Sequence, residues 1–369
     1  MQVVIRADAS VQIGSGHVMR CLTLADELRR RGADLTFVCR EHPGNLIGAI
    51  AGKGYGVVIL RQEAKTYSVR SGDVVHAAWL GVPWEQDARE TLDSLGEAIP
   101  DWLIIDHYGI DRRWEETLRP HVGRIMVIDD LADRPHDCEL LLDQNLYKGM
   151  ETRYDKLVPL GCKKLLGPQY ALLRPEFAIA RKNLRQRDGQ IRRVLVFFGG
   201  VDPTNETAKS VRALAGIMDH RLEVDVVVGN GNIHKQGIQE QCTEKDGFYY
   251  HCQVNNMAEL MAAADLSIGA GGSATWERCS VGLPSITISI ARNQVETTEV
   301  VADRGAAWYL GESANVHIEH IQDALLCALK HPDQLREMGT RAVRLMATGG
   351  DEAAHPLLQA ILEVGNAQT

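Results

Sequence analysis

His17 stands directly behind Gly14, Ser15 and Gly16, between a strand-like run ending in Arg6-Ala7-Asp8 and a run with helical spacing. Glycines at such a turn let backbone N–H groups approach an anion closely, and a helix start adds partial positive charge. That charge disfavours a protonated imidazole. A neutral histidine can accept a proton, so the position suits a general base near neutral pH. The alternative is a capping or packing histidine in an ordinary strand–helix turn. The segment is not the dinucleotide fingerprint, because G-x-G-x-x-G needs glycine where Met19 stands.

A second glycine loop lies in LSIGAGGSATWERCSVGLPS. A strand runs into Gly269, Gly271 and Gly272, Ser273 follows, and a helix begins at Ala274. Such a loop can cradle phosphate with backbone N–H groups. Glu277 falls within the first turn or so of that helix. A carboxylate there can accept both hydroxyls of a ribose, or it can simply complement the helix dipole. After the next strand, Asn293 and Gln294 offer paired amides. These suit sugar hydroxyls or acetamido groups, and equally a loop cap.

The elements that must position these residues alternate along the whole chain. Apolar β-rich runs occupy 3–8, 35–40, 55–60, 101–107, 124–130 and 140–145, then 193–200, 224–229, 248–254, 266–272, 284–290 and 306–311. Near-continuous Val/Ile/Leu strands separated by helices indicate parallel sheets covered on both faces. The fold class is therefore α/β, with two Rossmann-type doubly wound domains. The expected boundaries are 1–160 for the first, 161–190 for a connection, 191–345 for the second, and 346–369 for a C-terminal helix and tail. Behind the first glycine loop, Val18, Cys21, Leu22, Ala25 and Leu28 form an amphipathic stripe, closed by Arg30, Arg31 and Gly32. Helical patterns also cover 320–330, 333–347 and 352–364. Ligands of such sheets bind beyond the carboxyl ends of the strands, so the cleft between two facing domains is the expected site.

Composition narrows the partners. A formal charge of -9, from 40 basic and 49 acidic residues, argues against a nucleic-acid surface. No apolar run is long enough to cross a membrane, and the N-terminus lacks a signal-peptide pattern, so the expected location is cytoplasmic. The eight cysteines contain no C-x-x-C pair, and the thirteen histidines show no H-E-x-x-H spacing. Reduced core cysteines and no metal are expected.

The glycine-loop histidine, G-A-G-G-S-x-T-x-x-E and the later N-Q together resemble the GT-B superfamily of glycosyltransferases. RADASVQIGSGHVMRCLTLADEL, IIDHYGID, VIDDLADRPHDCELLLDQN, YALLRPEF and FFGGVDP resemble more closely the UDP-2,4-diacetamido-2,4,6-trideoxy-β-L-altropyranose hydrolase family of pseudaminic acid biosynthesis. The likeness runs from about residue 3 to 345, and the chain is longer than short members of that family, mainly through 61–100 and the tail. The resemblance implies hydrolysis of the UDP-sugar to UDP and free sugar with inversion. His17 would be the base. Uracil would meet backbone groups near Val254 and Met257, and Glu277 would hold the ribose. Gly271, Gly272, Ser273 and Ala274 would meet the diphosphate, helped by Gly14, Ser15 and Gly16. No cofactor or metal is implied, and the expected assembly is a monomer or weak dimer.

Other polar residues at strand ends are candidates to position the sugar: Asp8, Asp106, His107, Tyr108, Asp129, Asn145 and Arg174. Each is equally a structural cap or ion-pair partner, and Arg174, just before Pro175, is also placed to pin the connection. Tyr108 is the favoured sugar contact. The rival readings are a GT-B glycosyltransferase with the same donor, a non-catalytic UDP-sugar binder and a hydrolysing 2-epimerase. Against transfer, Pro203 in Gly199-Gly200-Val201-Asp202-Pro203 removes a backbone donor from a loop that reads G-G-S-x-G in the lipid-linked transferases. There is also no obvious basic-apolar segment for docking on a membrane.

Overall fold

The computed structural model describes residues 1–62, 67–96, 99–217, 222–347 and 355–366. The apolar runs form strands β1 Gln2–Ala7, β2 Asp34–Arg40, β3 Gly56–Leu60, β4 Trp102–Asp106, β5 Ile125–Ile128, β6 Leu140–Asp143 and β7 Lys163–Leu166. They continue with β8 Arg193–Phe197, β9 Glu223–Val228, β10 Phe248–Cys252, β11 Leu266–Ala270, β12 Ser285–Ser289 and β13 Trp308–Glu312. The first sheet has the order β3-β2-β1-β4-β5-β6-β7, and the second β10-β9-β8-β11-β12-β13. Every pairing is parallel.

Successive strand residues point to opposite faces, and both faces are dry. In the first sheet Ile104, Met126 and Leu142 enter one apolar cluster, while Leu103, Ile105, Val127 and Leu141 enter another. The second sheet divides in the same way, with Val194, Ile268 and Ile286 on one side and Leu195 and Val227 on the other. This is why the runs read as almost unbroken Val/Ile/Leu. The strand order reverses between β1 and β4 in one sheet and between β8 and β11 in the other. Those two points are where doubly wound sheets bind ligands.

The chain forms two compact units, one from 1–145, 149–172 and the C-terminal helix Pro356–Asn366, the other from 146–148 and 173–347. Two features differ from the sequence expectation. The segment 161–190 is not all connection, since β7 pairs with β6 and extends the first sheet to seven strands. Its four residues, Lys-Lys-Leu-Leu, carry too little alternation to read as a strand alone. The C-terminal helix, expected to follow the second domain, buries Leu357, Leu358, Ala360 and Ile361 in the core of the first unit. An apolar stripe must find a cover, and sequence order does not say which sheet supplies it.

Within the basic run 181–193, Arg187 is an internal staple of the second unit. The Arg187 guanidinium donates to the carbonyls of Met261, Ala262, Ala264, Val281 and Gly282. In the first unit, Asp87 of the helix Trp84–Leu95 receives Arg6 of β1 and Arg40 of β2, each at 2.8 Å, and the Trp114 indole N–H at 3.0 Å. All four side chains are buried, so the carboxylate ties that helix to two strands through a buried ionic hub. Among the described residues no helix is long and apolar enough to cross a membrane.

Candidate active site

The helix Gly16–Arg30 begins where the sequence pattern places it, and its stripe Val18, Cys21, Leu22, Ala25 and Leu28 is buried against the first sheet. The turn before it is closed by Ser10, whose carbonyl accepts from Gly14 N–H and whose hydroxyl accepts from the N–H groups of Gln12 and Ile13. Gly14 has φ +81°, a left-handed conformation that favours glycine. Ser15 is the N-cap and makes no side-chain cap bond.

His17 is 6% exposed. Its Nδ1 lies 2.5 Å from Asp106 Oδ1 at the carboxyl end of β4. Asp106 also receives Arg20 Nε at 2.6 Å and Arg20 Nη2 at 2.7 Å. Burial pushes the Asp106 carboxyl up, but Arg20 and His17 outweigh it and hold the group well below the ordinary carboxylate range. An ionised carboxylate only accepts, so Nδ1 carries a proton, and in the neutral ring the lone pair is on Nε2. Among the described residues Nε2 takes no hydrogen bond. An oriented neutral imidazole with a free Nε2 can take a proton.

Aromatic rings surround that imidazole. Tyr108 meets it edge-on at 4.6 Å between centroids, and Trp79 lies at 6.3 Å. Trp79 stacks on Tyr108 at 5.5 Å and touches His76 at 4.6 Å. The Tyr108 hydroxyl donates to Asp130, which also accepts from Asn145 Nδ2 at 2.8 Å. Burial, then the Asp130 charge, drives the Tyr108 phenol well above its ordinary range, so it stays a neutral donor. Trp79 also borders a cavity of about 220 Å³ with Tyr67, Gln62, His42 and the Ser10–Ile13 loop.

In the second unit, β11 runs into the loop before the helix Ala274–Ser280. A Cβ on Gly271 would stand 2.0 Å from Thr298 Oγ1, so the close approach of this loop requires glycine. The N–H groups of Gly272, Ser273 and Ala274 have no partner among the described residues, whereas those of Thr275 and Trp276 close back onto Gly272 and Ser273. Glu277 Oε1 accepts from Arg174 Nη2 at 3.0 Å and Nε at 3.1 Å. Burial raises the Glu277 carboxyl against the pull of Arg174. Gln294 Oε1 accepts from Ile290 N–H, and its amide lies over Gly272; Asn293 is exposed. Val254 is half-buried, and Met257 opens the next helix with its side chain in the core.

The structure thus brings His17, Gly14–Gly16 and Tyr108 together in one unit, and Arg174, Glu277, Gly271–Ala274 and Gln294 in the other. Three strand-end candidates are engaged inside the first unit. Asp8 accepts from Arg6 and from Arg40 N–H, His107 Nδ1 accepts from Gly109 N–H, and Asp129 pairs with Arg134. Sequence reasoning placed Asp106 among sugar contacts and missed it as the partner of His17. It also missed Arg20, Asp130, His76 and Trp79. One signal was available, since Arg20 follows His17 by three residues and so shares its helix face. Among the described residues no group of three or more His, Cys, Asp or Glu side chains is placed to hold a metal.

Residues 193–355 match the glycosyltransferase family 28 C-terminal domain. The chain is 26% identical over 306 residues to the UDP-2,4-diacetamido-2,4,6-trideoxy-β-L-altropyranose hydrolase of Campylobacter jejuni, covering 83% of this chain and 97% of that one. It is 24% identical over 340 residues to an uncharacterised protein of Methanocaldococcus jannaschii, covering 90% of this chain but spanning only 63% of that protein's length. The crystal structure of Acinetobacter baumannii MurG superposes with a TM-score of 0.62 at 13% identity, covering 98% of this chain and 99% of that chain. The two parallel sheets and this likeness make the fold GT-B.

Proposed function

We propose that this GT-B protein, of the type the Campylobacter hydrolase represents, hydrolyses a UDP-activated diacetamido-trideoxy hexose to UDP and the free sugar, a step of pseudaminic acid biosynthesis. The observation that carries the reading is the His17–Asp106 pair, with Nδ1 engaged and Nε2 free. Asp106, kept ionised by Arg20, holds the ring in one tautomer and stabilises the imidazolium that forms. Nε2 takes a proton from water, and the water oxygen attacks the anomeric carbon. The bond from that carbon to the diphosphate oxygen breaks, UDP leaves with the electron pair, and the configuration inverts. Charge grows on the leaving diphosphate, which the free N–H groups of Gly272, Ser273 and Ala274 are suited to meet. Glu277, held by Arg174, is assigned to the ribose, and the Val254 and Met257 backbone to uracil. Gly14–Gly16 and the amides of Asn293 and Gln294 would assist the diphosphate and the sugar.

The test is to incubate the purified protein with UDP-2,4-diacetamido-2,4,6-trideoxy-β-L-altropyranose and follow products by NMR. Free sugar and UDP without any acceptor support the hydrolase. Turnover only after adding a lipid or sugar acceptor makes the protein a transferase, and a bound but unchanged substrate makes it a binder.

A further inference from the structure

Arg278 is 1% exposed, and among the described residues no carboxylate forms an ion pair with it. Only Nη2 is engaged, donating to Ala270 O at 2.8 Å and Thr275 Oγ1 at 3.0 Å. Among the described residues, Nε and Nη1 are buried without hydrogen-bond partners. A buried guanidinium missing two of its bonds and any direct ion pair is costly; the Glu277 carboxylate acts on it only as a nearby charge while bonding Arg174. Burial lowers its proton affinity, to a pKa of about 10, against the opposing pull of Cys279 and Glu277.

Its place in the fold says what would compensate it. A Cβ on Gly269 would stand 2.4 Å from Phe197 O and 3.0 Å from Arg278 Nη1. The guanidinium therefore lies where the carboxyl ends of β8 and β11 meet, at the order reversal of the second sheet. That is the ligand end of a doubly wound sheet. The loop directly above it offers the unpartnered N–H groups of Gly272, Ser273 and Ala274. Backbone N–H groups without partners and a buried positive charge thus lie on one short segment, 269–278, and an anion would answer both.

We propose that Arg278 is the buried counter-charge of the diphosphate site, a positioning residue that acts from beneath the loop rather than by touching phosphate. The proposal rests on the nucleotide reading above. Arg278 Nη2 donates to Ala270 O and Thr275 Oγ1, on either side of Gly271–Ala274. It also adds a positive field in a water-poor site, where charges act strongly over several ångströms. The field matters most as the leaving diphosphate gains charge.

The experiment compares wild type with Arg278→Met and Arg278→Lys by calorimetric titration with UDP, uridine and inorganic pyrophosphate, and by thermal unfolding without ligand. Arg278→Met should weaken UDP and pyrophosphate binding about 10–100-fold and leave uridine binding unchanged. Arg278→Lys should recover most of the loss. Without ligand, the Met variant should melt no lower than wild type, because it removes an unpaired buried charge. An unfolded or less stable Met variant, an equal loss for UDP and uridine, or unchanged UDP affinity would each overturn the proposal and leave Arg278 a structural staple. Wild-type protein that binds neither UDP nor pyrophosphate would instead sink the nucleotide reading itself.

Discussion

His17 Nδ1 and Asp106 Oδ1 stand 2.5 Å apart, although 89 residues separate them in the chain. β1 and β4 pair in a register that sets Ala7 beside Asp106, and the helix Gly16–Arg30 returns from β1 over that junction. The strand order of the first sheet therefore builds the pair. Arg20, three residues after His17, clamps the same carboxylate. His17→Ala should reduce kcat to background while leaving UDP affinity nearly intact. Asp106→Asn keeps the shape but can present an amide donor to Nδ1, favouring the wrong tautomer, so kcat should fall about 10²–10⁴-fold. Steady-state kinetics with UDP titration check both; near-normal kcat in the His17 variant ends the mechanism.

Tyr108 joins an aromatic wall through its ring and Asp130 through its hydroxyl, so two substitutions separate the roles. Tyr108→Phe removes only the hydroxyl and should change kcat/KM by less than about tenfold, the scale of one hydrogen bond. Trp79→Ala removes the ring stacked on Tyr108 and bordering the cavity. It should raise KM for the sugar nucleotide more than it lowers kcat, with product inhibition by UDP unaltered.

Arg174 and Glu277 should be thermodynamically coupled. Their side chains are 25% and 17% exposed, so the contact is partly screened and worth about 1 kcal/mol. Glu277→Ala and Arg174→Met should each weaken UDP binding about tenfold. The double variant should be barely worse than either alone, as a double-mutant cycle by titration calorimetry would read. Strict additivity would show that Arg174 does not work through Glu277.

Asp143 at the end of β6 provides the pH prediction. Burial, then the Asp130 charge, pushes its carboxyl up to about 8, against the pull of Arg153. The ordinary value is about 3.9, so the folded state holds a proton that the unfolded chain releases. Its contribution to stability is complete below about pH 4 and is lost as pH rises through about 8. Thermal unfolding across that window should show Tm declining in wild type and a flatter profile in Asp143→Asn. A parallel decline in both proteins would assign the effect elsewhere.

The repeated strand–helix alternation, both glycine loops and the start of the helix behind His17 were legible in the residues alone, because each is a local pattern. Periods of two and 3.6 residues and glycine at tight turns are set by neighbours in the chain. Twelve apolar runs became strands within a few residues of their expected limits. The features that needed the folded chain are non-local: Asp106 as the partner of His17, Arg174 as the partner of Glu277 across 103 residues, β7 in the first sheet and the C-terminal helix on the first core. These follow from strand order and from which apolar surface is left uncovered, and no window of residues carries either. The solitude of Arg278 belongs here too. An arginine in a helix reads as surface, and only the packing of β8, β11 and the adjoining loop shows a buried charge with no ion pair among the described residues.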